Sequence, residues 1–253
     1  MEMPAPFSWL AAMETAKQPK AYPNLTPSAP VLHLAVVLSV YPIKKRGVVK
    51  MKKLMAGFLM GMILLGMTAC GNGAGIAEEG VAADFRNSVF MGDSLTEGFA
   101  FNEILPQEQV IAGAGATAGF SYDDLDALAE KKPDQVFIML GSVDILMPVD
   151  NPQELFREDL TKLINRIKKD LPGAEIYLQS ITPVTQEALK QEPRYAGIEE
   201  YNGIIKEVAE KSGVHYLDIG ILAKENPALF AEDGIHFKKE FYQLWLQKLS
   251  EAL

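Results

Sequence analysis

The run Gln135-Val136-Phe137-Ile138-Met139-Leu140 is apolar at every position after the first. A strand with one wet face alternates apolar and polar residues, whereas one with no polar positions must be covered on both faces, as in a parallel sheet. Four other runs, at 88–91, 109–112, 175–179 and 214–219, read as further strands. Helical patterns lie between them. Residues 122–131 follow Ser121 as an N-cap, and 152–169 place Leu155, Leu160, Leu163, Ile164 and Ile167 on one face. Residues 198–211 do the same with Ile198, Tyr201, Ile204, Ile205 and Val208 before the stop signal Gly213, and 237–252 close the chain. Strands alternating with helices predict a five-stranded parallel sheet in a three-layer α/β/α arrangement. In such sheets, sites form outside the carboxyl ends of the strands.

The globular domain is expected over 84–253, because what precedes it reads differently. From Met51, two lysines lead into an apolar run at 54–67 and then Thr68-Ala69-Cys70. The run is about fourteen residues long, short of the roughly twenty a spanning helix needs. A positive start, a short apolar stretch and small residues before a boundary describe a secretory signal peptide over 51–69. Met67-Thr68-Ala69-Cys70 resembles the lipobox of bacterial lipoproteins, with Met67 where leucine is usual; the resemblance implies lipidation of Cys70 and anchoring at the extracytoplasmic face of a bacterial cell membrane. Residues 70–83, with Gly71-Asn72-Gly73-Ala74-Gly75 and Glu78-Glu79, read as a flexible tether. Residues 1–50 show no period, and a signal peptide behind them predicts a mis-assigned upstream segment. Translation would then start at Met51, or at Val48 or Val49 as alternative start codons.

Of 24 basic and 33 acidic residues, eight and two lie in 1–69, leaving sixteen and thirty-one from Cys70 onward, a net charge of about −15. So acidic a body repels phosphate backbones, and nucleic acid is not expected as a partner. It equally disfavours a basic patch on anionic lipid. A single cysteine excludes a disulfide framework and a cysteine-based zinc site. No phosphate-cradling loop or metal cluster is visible in the sequence, so no cofactor is expected.

Met91-Gly92-Asp93-Ser94-Leu95-Thr96-Glu97-Gly98 follows the first strand and precedes a helix, which sets Ser94 beside backbone N–H groups able to stabilise an anion. A serine needs a base to attack an acyl carbon at neutral pH. The chain has three histidines. His33 falls in the upstream segment and His215 inside the fifth strand, where packing is the expected role. His236 sits in Asp233-Gly234-Ile235-His236-Phe237, where Gly234 permits a tight turn and Asp233 can reach the imidazole to fix its tautomer.

The Gly-Asp-Ser-Leu block near the domain start and the Asp-x-x-His block near its end resemble the SGNH (GDSL) hydrolases in order and spacing. The second glycine of the α/β-hydrolase elbow is absent. The resemblance implies a flavodoxin-like SGNH hydrolase fold with Ser94 as nucleophile, His236 as general base and Asp233 as its orienter. It implies an oxyanion hole built from the Ser94 N–H, a glycine after the second strand (Gly115, or else Gly113) and an asparagine amide from a G-x-N-D block. That block reads Gly141-Ser142-Val143-Asp144 here, and valine cannot donate. Loss of one such donor costs about 10²–10³ in turnover in comparable sites. Three readings stay open. Two backbone donors suffice, or Ser142 or another polar group replaces the amide, or the pocket is kept for binding alone. Asp144 is expected to fix its loop. Ser180–Thr185 should line the rim, with Tyr195, Tyr201 and Asn202 in packing roles. The expected activity is hydrolysis of a short acyl or acetyl ester, small-molecule or carbohydrate, outside the membrane; the alternative is a ligand-binding lipoprotein.

Overall fold

The structure is a computed structural model that describes residues 81–253. The upstream segment 1–50, the signal peptide 51–69 with Cys70 behind it, and the tether up to residue 80 lie outside the described residues; 81–83, expected as the end of the tether, are instead helical, and Val81 and Ala82 pack against the core, so the folded domain begins before 84. Among those described, no helix is long and apolar enough to cross a membrane.

Five strands form one parallel sheet: β1 (Ser88–Gly92), β2 (Val110–Ala112), β3 (Gln135–Met139), β4 (Glu175–Gln179) and β5 (His215–Leu217). Their order is β2-β1-β3-β4-β5, every neighbouring pair parallel. This is the flavodoxin-like order, in which the chain reverses direction across the sheet between β1 and β3. The helices, numbered from β1 onward, are α1 (Ser94–Phe101), α2 (Leu125–Lys131), α3 (Pro152–Asp170), α4 (Gln186–Gln191), α5 (Ile198–Ser212), α6 (Gly220–Glu225) and α7 (Lys239–Ser250).

Strand side chains point alternately to the two faces, and the core divides accordingly. Val89, Met91, Val136, Ile138, Ile176 and Leu178 pack with the apolar stripes of α2, α3 and α5. Phe90, Phe137, Met139 and Tyr177 pack with α1, α6 and α7. On the second face the register aligns Phe90 with Phe137, Phe137 with Tyr177, and Tyr177 with His215. The rings stack as a ladder, with centroids 4.9, 4.7 and 4.6 Å apart. Such pairs add about 1 kcal/mol each beyond burial, and His215 ends the ladder on the edge strand.

The final helix spans Lys239–Ser250 rather than 237–252, and the short helices α4 and α6 were not expected; two further departures have a visible local cause. The helix expected from 122 begins at Leu125, behind a 3-10 turn over Phe120–Asp124. Ser121 does not cap it, because its hydroxyl turns back to donate to the Thr117 carbonyl at 2.9 Å. The fifth strand stops at Leu217 rather than Ile219. There the Ser180 hydroxyl oxygen accepts from the N–H groups of Ile219 and Gly220, both at 2.9 Å, and pulls the backbone out of the ladder.

Candidate active site

β1 ends at Gly92 and the chain turns at once into α1. Asp93 is the N-cap: its buried carboxylate accepts from the Leu95 N–H at 2.9 Å, satisfying a backbone donor that the first turn of a helix leaves free. Its other oxygen accepts from the Ser142 hydroxyl, which ties the carboxyl end of β3 to that of β1. Burial raises the Asp93 pKa, opposed by the bonds from Ser142 and from the first turn of α1. Ser94, the first residue of α1, is partly exposed at this switch point of the sheet.

The other half of the site is a turn between the last 3-10 helix and α7. The Asp233 Oδ1 atom accepts from the N–H groups of Ile235 and His236, both at 2.9 Å. Oδ2 meets His236 Nδ1 at 2.6 Å, and His236 Nε2 lies 2.9 Å from Ser94 Oγ. Burial pushes the Asp233 pKa up, but the bonds from the imidazole and the two backbone N–H groups outweigh it and hold the acid at about 2. An ionised carboxylate can only accept, so Nδ1 carries the proton and Nε2 is left to accept from the serine hydroxyl. The side chains of His236 and Asp233 are 15% and 14% exposed, open enough for a substrate and dry enough to strengthen the pair.

The turn is fastened on both sides. Gly234 has φ +70, and a Cβ there would lie 2.0 Å from Thr185 Oγ1. The Gly234 carbonyl accepts from the Thr185 N–H at 2.9 Å, so the segment after β4 braces the histidine turn. Downstream, Phe237 pairs with Phe230 and stacks on Phe241 at 3.7 Å, joining the turn to α7.

The remaining expected site residues come to the same end of the sheet. Gly113 donates its N–H to the Gly92 carbonyl at 3.3 Å, whereas the Gly115 N–H has no acceptor among the described residues. Of the two glycines, Gly115 therefore keeps a free donor, as does Ser94 at the helix start. Val143 is buried, 4% exposed, and brings no polar atom. Ser142 is already committed to Asp93 and does not stand free as a replacement donor. Asp144 is buried; its Oδ1 accepts from the Ala118 N–H at 3.0 Å, pinning the loop that carries Gly115, while Oδ2 has no partner. Burial is the main cause that lifts its pKa to about 7, helped by the charges of Asp93 and Asp159 and opposed by the bonds from Ala118 and its own N–H. Asn202 clips Ile181 at both N–H (2.7 Å) and carbonyl (3.0 Å), setting the course of the segment that reaches Thr185.

Sequence reasoning did not single out Asp93, although an aspartate directly before a helix is an N-cap signal. The Thr185 brace had no signal to find, because it exists only once β4 and the final turn are neighbours. Among the described residues no group of three or more His, Cys, Asp or Glu side chains could hold a metal ion.

Residues 90–244, more than half of the chain, match the model of the GDSL-like lipase/acylhydrolase family. The chain belongs to this family. As a GDSL-like member it is a carboxylic ester hydrolase by class. Comparison with curated proteins returns no match. Solved structures share the GDSL fold. A GDSL-like lipase from Bacteroides thetaiotaomicron is 17% identical, with TM-score 0.54, covering 70% of this chain and 94% of its own. An acetylxylan esterase from Geobacillus stearothermophilus is 19% identical, with TM-score 0.51, covering 64% and 91%. At these identities the likeness is one of fold. The GDSL block of this member, Gly92-Asp93-Ser94-Leu95, lies at the β1–α1 turn that the geometry above describes.

Proposed function

We propose that the protein is a serine esterase that hydrolyses short acyl or acetyl esters through an acyl-enzyme on Ser94. The observation that carries this reading is the continuous chain from Asp233 through His236 to Ser94, at 2.6 and 2.9 Å. His236 Nε2 takes the hydroxyl proton as Ser94 Oγ bonds to the ester carbonyl carbon. The negative charge that develops on the carbonyl oxygen faces the free N–H groups of Ser94 and Gly115. Collapse breaks the bond to the alcohol oxygen, which leaves with the proton from His236. A water then repeats the sequence, giving its proton to His236, attacking the acyl carbon and releasing the acid and the serine. Asp233 stays ionised and stabilises the imidazolium formed in each half. No metal or cofactor takes part in these steps.

An acetyl ester is the preferred substrate class. The connection from β4 to α4 is short, 180–185, and inserts no long lid, and two structural neighbours bear the name acetylxylan esterase. In this reading Cys70 is acylated and the tether holds the domain at the outer face of a bacterial membrane, on the strength of the 51–70 pattern. Radiolabelled palmitate incorporated by the producing cells should be lost in C70S, and equal labelling of both would sink the anchor.

A fluorophosphonate probe tests the chemistry. Covalent labelling and p-nitrophenyl acetate turnover should both disappear in S94A. A wild-type protein that neither labels nor turns over any ester in a panel would instead be the binding lipoprotein that Val143 alone favours.

A further inference from the structure

Valine at position 143 removes a side-chain donor from the oxyanion site, and Ser142 is spent on Asp93. A different side chain is carried to the turn that follows position 143. The 3-10 turn Pro193–Gly197 packs on the turn Asp144–Leu146 that directly follows Val143. Arg194 Nη1 donates to the Leu146 carbonyl at 2.7 Å, and the same guanidinium grips Glu192 through Nε at 2.8 Å and Nη2 at 2.6 Å. The turn is thus held firmly. Its Tyr195 ring is 4% exposed and shares a core with Ile145 and Leu146.

The hydroxyl of that ring is not used by the fold. It bonds to no described group, and it is not among the buried polar atoms sealed away without a partner, which are Thr96 Oγ1, Asp144 Oδ2, Gln179 Nε2 and Tyr201 OH. It therefore opens to solvent. The phenol also lies in the fields of both Asp93 and Asp233, the residue before the serine and the residue that orients the imidazole. Burial, aided by these charges, keeps the phenol protonated and so able to donate. Tyr242 senses the same acids, but its hydroxyl lies against Gly98 on the other face of the sheet.

We propose that Tyr195 is a catalytic residue whose hydroxyl donates the third hydrogen bond to the oxyanion, in place of the amide that Val143 lacks. The proposal rests on the Ser94 acyl-enzyme reading. As Ser94 Oγ adds to the carbonyl carbon and the π electrons move to oxygen, the phenol O–H turns onto that oxygen; the proton stays on the phenol, and the bond relaxes when the carbonyl reforms.

The test is Y195F in the full-length protein, which removes one oxygen and keeps the packing. With p-nitrophenyl acetate, kcat should fall about 10²-fold while KM stays within about twofold. Affinity for a trifluoromethyl ketone, which forms the same oxyanion on the serine, should weaken by the factor lost from kcat. V143N introduced into Y195F should recover at least tenfold of that loss. An unchanged kcat, or a loss of kcat with no matching loss of ketone affinity, would overturn the proposal while leaving the nucleophile intact. Turnover that survives in S94A would instead bring down the underlying reading.

Discussion

Asp144→Asn should make the protein more stable with rising pH relative to wild type, and the size of the effect follows from where Asp144 sits. Its carboxyl has a folded pKa of about 7 against an ordinary value of 3.8. Between those values the unfolded chain has released the proton and the folded protein keeps it. Stability therefore falls as pH rises, by up to about 1.4 kcal/mol per pH unit. Integrated over the window, the penalty on the wild type approaches about 4 kcal/mol above pH 7 and vanishes below pH 4. Asparagine does not titrate, and its Oδ1 still accepts from the Ala118 N–H, so the loop bearing Gly115 stays pinned. The new amide N–H₂ replaces an oxygen that had no partner, which adds a constant cost of about 1–3 kcal/mol. The diagnostic is thus the pH dependence of the difference rather than its value at one pH. Urea unfolding of both proteins at unit intervals from pH 4 to pH 8 should give a difference that moves in favour of D144N by several kcal/mol, at equal m values. A difference that stays constant across this range would mean that Asp144 ionises normally in the fold, and the account of its burial would be wrong.

Asp233 titrates in the opposite sense. Held at about 2 against 3.8, it contributes about 2 kcal/mol that is fully present above pH 4 and lost as pH falls towards 2; D233N should be less stable than wild type by that amount at pH 6, with the gap closing in acid unfolding. G234A should cost about 1–3 kcal/mol in thermal unfolding and at least tenfold in turnover, since φ +70 and a contact of 2.0 Å with Thr185 Oγ1 oppose a methyl there. Adding T185A should return part of the stability by removing the clashing atom, and a double variant no better than G234A would show that the clash does not matter.

What could be read from the sequence was whatever is local. Short apolar runs located β1, β3 and β4, because strands covered on both faces carry apolar residues at successive central positions: Val89–Met91, Val136–Met139 and Ile176–Leu178. Ser94, Asp233 and His236 were legible because turn chemistry, strand ends and residue type coincided within a few residues. The illegible parts depend on partners distant in the chain. Ser121 looks like a cap until Thr117 O offers its hydroxyl a better position. β5 looks two residues longer until Ser180 captures the N–H groups of Ile219 and Gly220. The choice between Gly113 and Gly115 needs the Gly92 carbonyl, and the free hydroxyl of Tyr195 needs the turn at 144–146. None of these partners lies within a window that periodicity can scan.

The helix that begins with the serine and the helix that follows the histidine turn meet directly, Gly98 against the Tyr242 hydroxyl and Phe99 against Trp245 at 4.7 Å. The distance between Ser94 and His236 is consequently fixed by one interlocking seam and not by the long stretch of chain between them. Insertions at 147–151, between β3 and α3 on the carboxyl side of the sheet, could recast the entrance while the Ser94–His236 pair stays in place. Descendants of such a scaffold are free to change diet without relearning how to cut.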